Sequence, residues 1–437
     1  MLTYTPLMGS GSFFAHRQSL RALAHRDFRL LLAGSTIVGF VMPIQFLTQI
    51  FWVQAQYPSR SVLYVGLIAA SRGSAMLIFS LVGGAIADRF ERRRVLLFCE
   101  STALALNTVV ALLMLTEPFG EATVGALLVL TFLAAGNMAI DQPTRSSSTP
   151  AIVGMADLAN GISLQMMAIQ LTTPLSLPLT GFLNATFEPG RVYAGSLIAW
   201  TAILPLIAAL RFRSAGGADR RQGMLGNIRS GLAYTRRDPA IFGIILLVLI
   251  LQVVGMPGPA TLGPIWMTEV LGLSKGQFGL MAMTWGMGAA AGSVFFARNH
   301  RLTRSGRSLS TMVLLFGAGT IVFSHSRVVP LTAVVNFTIG FALVGTMVTS
   351  STMVQHLVSD EMRGRVLGLF PLAMGLSMLD AAPVSALGQL FGLEAVLPAL
   401  AWTTLGLSLL VISRQPLLRR PGSQVEHIPA IPSVELP

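Results

Sequence analysis

At 437 residues, with 53% hydrophobic residues, only 11% charged and a mean hydropathy of +0.69, the chain is too apolar for a soluble protein and reads as a polytopic membrane protein. A formal net charge of +12 would suggest nucleic acid in a soluble chain, but here the positions of the charges assign them to membrane orientation. The single cysteine, Cys99, excludes an intrachain disulfide, and six histidines with no i,i+3 or i,i+4 pair argue against a metal centre.

Residues 1–27 lack the order of a secretory signal and read as a short cytoplasmic arm carrying Arg17, Arg21 and Arg26. Apolar runs of about twenty residues, enough to cross a ~30 Å hydrocarbon core, follow near 28–51, 62–87, 95–115, 122–143, 158–185 and 191–210. The stretch 211–238 is too polar for lipid and is expected to be a cytoplasmic linker. A second set of six runs falls near 240–268, 277–297, 309–324, 329–353, 364–390 and 395–413, ahead of a proline-rich tail, 414–437, that is expected to be disordered and cytoplasmic. The expected fold class is therefore an all-α integral membrane protein, with 12 transmembrane helices in two six-helix bundles, 28–210 and 239–413.

Orientation follows from the basic residues. On this plan 25 of the 30 lysines and arginines fall on the side of the termini, while Arg60, Arg191, Lys275 and Arg327 fall opposite and Arg72 lies within a span. That asymmetry predicts cytoplasmic N and C termini. Internal repetition supports the two halves: Arg26-Asp27 before the first span recurs as Arg237-Asp238 before the seventh, and Gly66-Leu67 as Gly279-Leu280. Extended without gaps, the same register sets Gly73 opposite Gly286 and Arg72 opposite Trp285. An aspartate at a helix start is a favourable cap, so Asp27 and Asp238 are both expected to cap the helices that follow them.

Between the second and third spans, residues 84–94 pack six charges into a tight turn. Gly84, Asp88, Arg89, Arg92 and Arg93 match a Gly-x-x-x-Asp-Arg-x-Gly-Arg-Arg signature, with Glu91 in place of the second glycine. This stretch resembles the loop between helices 2 and 3 of the major facilitator superfamily. Asp141-Gln142-Pro143-Thr144-Arg145 and Asp360-Glu361-Met362-Arg363-Gly364-Arg365 resemble the branch that holds bacterial siderophore exporters and related drug efflux proteins. Two departures stand out. Gly39-Phe40 replaces the Gly-Asp that the branch often carries in helix 1, and Leu177-Pro178-Leu179-Thr180-Gly181 is a shortened form of the antiporter pattern in helix 5.

The resemblance implies transport by alternating access, with the substrate between the bundles near the midplane. It implies a gating cluster at the cytoplasmic face, in which Asp88, Arg92 and Asp141 form a latch; a bond within one helix from Asp141 to Arg145 is the competing reading. It lines the cavity with helices 1, 4, 7 and 10, which offer Gln45, Thr48, Gln49, Asn137, Gln252 and Asn336, with Trp285 as an aromatic wall. Amides inside a membrane also serve as interhelical glue. Ionisable residues inside a span need a partner or a task. Arg72 and Asp380 both lie roughly 15 Å in from the far end at ~1.5 Å per residue, and the resemblance sets their helices face to face. They are expected to pair and to couple a proton to the conformational change; the competing reading pairs Arg72 with backbone carbonyls and Asp380 with a neighbouring serine or water. Glu100 is read as a structural acid near the arginine cluster.

The expected function is secondary active transport of a small amphipathic molecule in a bacterial inner membrane, as proton-coupled efflux of a drug-like compound or siderophore. Uptake or facilitated diffusion of a small solute is the alternative. The expected partners are the substrate, protons and the bilayer, with no nucleic acid, in a monomer. No cofactor, metal site or catalytic residue is expected, and there is no Walker-type phosphate loop; the glycines 286, 288 and 292 lie within a span and read as packing.

Overall fold

The computed structural model describes residues 21–212 and 224–419. Most of the N-terminal arm, the first part of the linker and most of the tail lie outside the described residues, as do the side chains of Gly84 and Asp88. All regular elements among the described residues are helices, and eleven of them are long and apolar enough to cross a membrane. The chain is a multi-pass membrane protein. The longest helix, Ala122–Thr186, contains Gly154 at φ 70°, a conformation that costs glycine nothing and bends the chain there. Its two arms, α4 (122–153) and α5 (155–186), make the eleven helices consistent with twelve crossings.

The first half consists of α1 (Arg26–Gln56), α2 (Ser61–Arg89), α3 (Arg92–Thr116), α4, α5 and α6 (Pro189–Ala208). The second consists of α7 (Pro239–Val270), α8 (Lys275–Arg298), α9 (Gly306–His325), α10 (Val329–Leu357), α11 (Leu369–Phe391) and α12 (Leu393–Arg414). A separate linker helix, Met224–Arg237, packs on the segment Asp360–Leu367, where a Cβ built on Gly231 would lie 2.7 Å from the Arg365 carbonyl oxygen.

Local chemistry explains the helix ends. Asp238 caps α7, its carboxylate accepting from the backbone of Ala240 at 2.8 Å and Ile241 at 3.2 Å. Its repeat counterpart behaves differently: Asp27 lies inside the first turn of α1 and accepts from the backbone of Arg211 at 2.9 Å and Phe212 at 2.7 Å, beyond the end of α6. Expected as a cap of its own helix, Asp27 instead ties α1 to α6. Past Leu249, α7 widens into π-helical turns through Gly255, Pro257, Gly258, Pro259 and Pro264, because prolines without an N–H break the regular bonding ladder.

The bundles meet along two glycine-lined seams. A Cβ built on Gly66 of α2 would lie 2.6 Å from the Ala381 carbonyl oxygen of α11, and one on Gly73 would lie 2.6 Å from the Leu379 nitrogen. The repeat-related glycines of α8 do the same against α5, with Gly279 2.9 Å from the Gly181 Cα and Gly286 2.7 Å from the Pro174 Cβ. Absent side chains let the backbones approach closely in a medium without a hydrophobic force between helices.

Candidate functional site

At the end opposite the arginine-rich loop the two bundles are joined. Gln54 donates to Thr268 at 3.0 Å, Ser61 to Glu269 at 3.3 Å, and Gln389 to the Ser59 carbonyl at 2.9 Å, while Phe51 and Phe278 meet edge to face at 5.3 Å. The far end is shut in this conformation.

Inside the first bundle lies a small cavity of about 40 Å³, whose border includes the polar residues Gln45, Gln49, Arg72, Glu100, Asn137 and Asp141. It has room for a few waters and not for a drug-sized molecule. One end holds an ion cluster. The guanidinium of Arg145 on α4 binds Asp141 one turn earlier at 2.5 Å and binds Glu100 across on α3, and it also reaches Ser35 of α1 at 3.4 Å. All three ionisable side chains are buried. A Cβ built on Gly34 of α1 would sit 3.4 Å from Arg145 Nη1, so α1 packs directly against the guanidinium. Each carboxylate keeps one buried oxygen, Glu100 Oε2 and Asp141 Oδ1, without a hydrogen-bond partner. A buried ion pair is retained only at a desolvation cost, so two carboxylates on one arginine form a high-cost arrangement.

Arg72 lines the other side of the cavity, its guanidinium 5.1 Å from the ring centre of Phe46. It forms no ion pair with Asp380, contrary to expectation. The reason is the seam itself: Gly73 draws α2 against Leu379 and Met378 of α11, while the Arg72 side chain turns into its own bundle. The expected bond from Arg92 to Asp141 is likewise absent. Arg92 donates to the Ser147 carbonyl at 2.8 Å and Arg93 to the Ala208 carbonyl at 2.7 Å, while Arg89 lies over Phe90 at 5.9 Å. Asp141 is held within its helix by Arg145, and the part of the latch assigned to Asp88 lies outside the described side chains.

The expected cavity amides divide. Gln45 donates to Ser196 at 3.0 Å, Gln49 to Tyr193 at 3.4 Å, and Asn137 to the Cys99 carbonyl at 2.8 Å, so all three border the cavity within the first bundle rather than a path between bundles. Thr48 accepts from Asn184 at 3.0 Å, and Asn336 donates to the Met281 carbonyl at 2.9 Å; both are buried glue in this conformation. Gln252 and Trp285 remain half-buried. Sequence reasoning undervalued Glu100. Its signal was available, because it is an acid inside an apolar run with no basic residue in the next turns.

A family model described as "Transmembrane secretion effector" matches residues 18–426. The chain belongs to this family of major facilitator transporters. Enterobactin exporters EntS of two Escherichia coli strains, O127:H6 and UTI89, are each 26% identical over 376 residues, covering 82% of this chain and 84% of theirs. In fold the chain is similar to a variant of the nucleoside transporter NupG, with a TM-score of 0.72 at 11% identity, covering 89% of this chain and 99% of that one. It is also similar to the human organic anion transporter MFSD10, with a TM-score of 0.60 at 16% identity, covering 88% and 99%.

Proposed function

We propose that the protein exports a siderophore-like amphipathic compound from the cytoplasm across a bacterial inner membrane, by alternating access driven by protons. The observation that carries this reading is the paired seam. Repeat-related glycines on α2 and α8 hold the far end shut against α11 and α5, as expected of one state in a rocking cycle between two bundles. The arginine-rich end is then cytoplasmic by its charge. Similarity to the enterobactin exporters over most of both chains supports the direction and the substrate class. Substrate would lie between the bundles, where Gln252 and Trp285 keep half-exposed surface. The sequence and fold support movement of a molecule rather than its chemical conversion.

The test uses inside-out membrane vesicles from cells producing the protein, with enterobactin as the probe. Accumulation several-fold above vesicles lacking the protein, dependent on an acid interior, is the expected result. Equal accumulation in both preparations with enterobactin and with a panel of amphipathic compounds would refute export.

A further inference from the structure

We propose that the Glu100–Asp141–Arg145 cluster is an exchangeable proton site, in which Glu100 takes up a proton and thereby breaks the ion pair between α3 and α4. Its use in transport rests on the reading above; its existence does not.

Arg145 satisfies one oxygen of each carboxylate, leaving Glu100 Oε2 and Asp141 Oδ1 buried with no donor from the protein. Such atoms call for a hydrogen, and the water-sized cavity beside them can deliver one. A proton taken from water onto Glu100 neutralises that carboxylate and leaves Arg145 paired with Asp141 alone, so the cluster passes from net −1 to neutral. The two carboxylates are not equivalent. Asp141 and Arg145 share α4, and their bond persists wherever that helix moves as a rigid body. The bond to Glu100 crosses to α3; its loss removes the ion pair between the two helices and leaves the neutral bond from Asn137 to the Cys99 carbonyl, 2.8 Å, as their tie at this level.

The other ionisable groups facing the site are few. Arg72 comes from α2, Cys99 from α3 and Tyr193 from α6, while α1 presents the neutral Ser35, Gln45 and Gln49. The positive charge of Arg72 across the cavity balances the ionised cluster. Nearer the basic end, Arg92 and Arg93 tie the start of α3 to α4 and α6 through backbone carbonyls, so α3 stays anchored there when the Glu100 bond opens.

The test needs no substrate. Infrared difference spectra of the full-length protein in lipid, taken between about pH 9 and about pH 5, report buried carboxyl groups by their C=O stretch as they protonate. The parent and Asp380→Asn should show a buried-carboxyl band that Glu100→Gln lacks. Asp141→Asn should keep the band and shift its midpoint. Trp200 borders the same cavity with its indole N–H unpartnered. A pH-dependent change in tryptophan emission should therefore disappear in both Trp200→Phe and Glu100→Gln. A band unchanged in Glu100→Gln, or lost in Asp380→Asn instead, overturns the proposal; so does a midpoint unmoved in Asp141→Asn. If Glu100→Gln does not accumulate, the Asp141→Asn midpoint and the Trp200→Phe emission decide alone.

Discussion

Gly73 of α2 lies so close to Leu379 of α11 that a Cβ on the glycine would sit 2.6 Å from the leucine's backbone nitrogen. The other near atoms are the Met378 Cβ and carbonyl carbon, which cannot swing aside as the end of a side chain would. Gly73→Leu should therefore disfavour the far-end-closed state by about 1–3 kcal/mol, the usual cost of overpacking. Cysteines placed at Ser61 and Glu269, whose side chains touch at 3.3 Å, should be joined efficiently by a short cross-linker in the parent and several-fold less in Gly73→Leu. Equal cross-linking would show that the seam does not govern closure.

The same relationship separates Arg72 from Asp380. Because the two side chains form no ion pair, the stability effects of Arg72→Met and Asp380→Asn should add to within about 0.5 kcal/mol, as for independent sites. A coupling energy beyond about 1 kcal/mol in a thermal-unfolding cycle would indicate that they meet.

Arg145 is the counter-ion of two buried acids. Arg145→Ala should cost about 3–5 kcal/mol, because both carboxylates lose their partner inside the bundle. Replacing all three groups together, Arg145→Met with Glu100→Gln and Asp141→Asn, should recover most of that loss. Melting temperatures of the purified variants check both statements; a triple variant no more stable than Arg145→Ala would contradict them.

At the far end, Tyr64 donates to Glu121 and Arg60 binds the same carboxylate at 2.6 Å. The tyrosine hydroxyl, aided by Arg60, holds the Glu121 carboxyl below its ordinary value. A depressed carboxylate contributes stability above its unfolded pKa and loses it as pH falls through the folded value. The group is exposed, so the effect is small. Glu121→Gln should lower Tm slightly at neutral pH, and the difference should shrink steadily as the pH falls below the ordinary carboxylate range. A constant difference across that range would remove Glu121 from the account.

Much of this arrangement was legible in the sequence, for physical reasons. Lipid forces helices, so the apolar runs marked the spans, and the arginine asymmetry marked two ends. The glycine register linking Gly66 with Gly279 and Gly73 with Gly286 identified positions that turn out to line the two seams. Polar pairing was harder to read. A helix says which residues share its face, but not whether a long arginine side chain reaches across a seam or folds back into its own bundle. Arg72 took the second course, the competing reading of a bond from Asp141 to Arg145 describes this conformation, and Asp27 found the end of α6 in place of its own helix. Gln45, Gln49 and Asn137 were read as facing a path between bundles because the resemblance assigns that face, whereas Ser196, Tyr193 and the Cys99 carbonyl hold them inside one.

The central claim is substrate export coupled to protons, and proton flux tests it most directly. The purified protein would be reconstituted in vesicles holding a pH-sensitive dye, a pH gradient imposed, and enterobactin added alongside chemically unrelated sugars as controls. The account predicts proton movement on addition of enterobactin that is absent with sugars and absent from protein-free vesicles. Enterobactin crossing the membrane with no proton movement, or sugars crossing in its place, would contradict it.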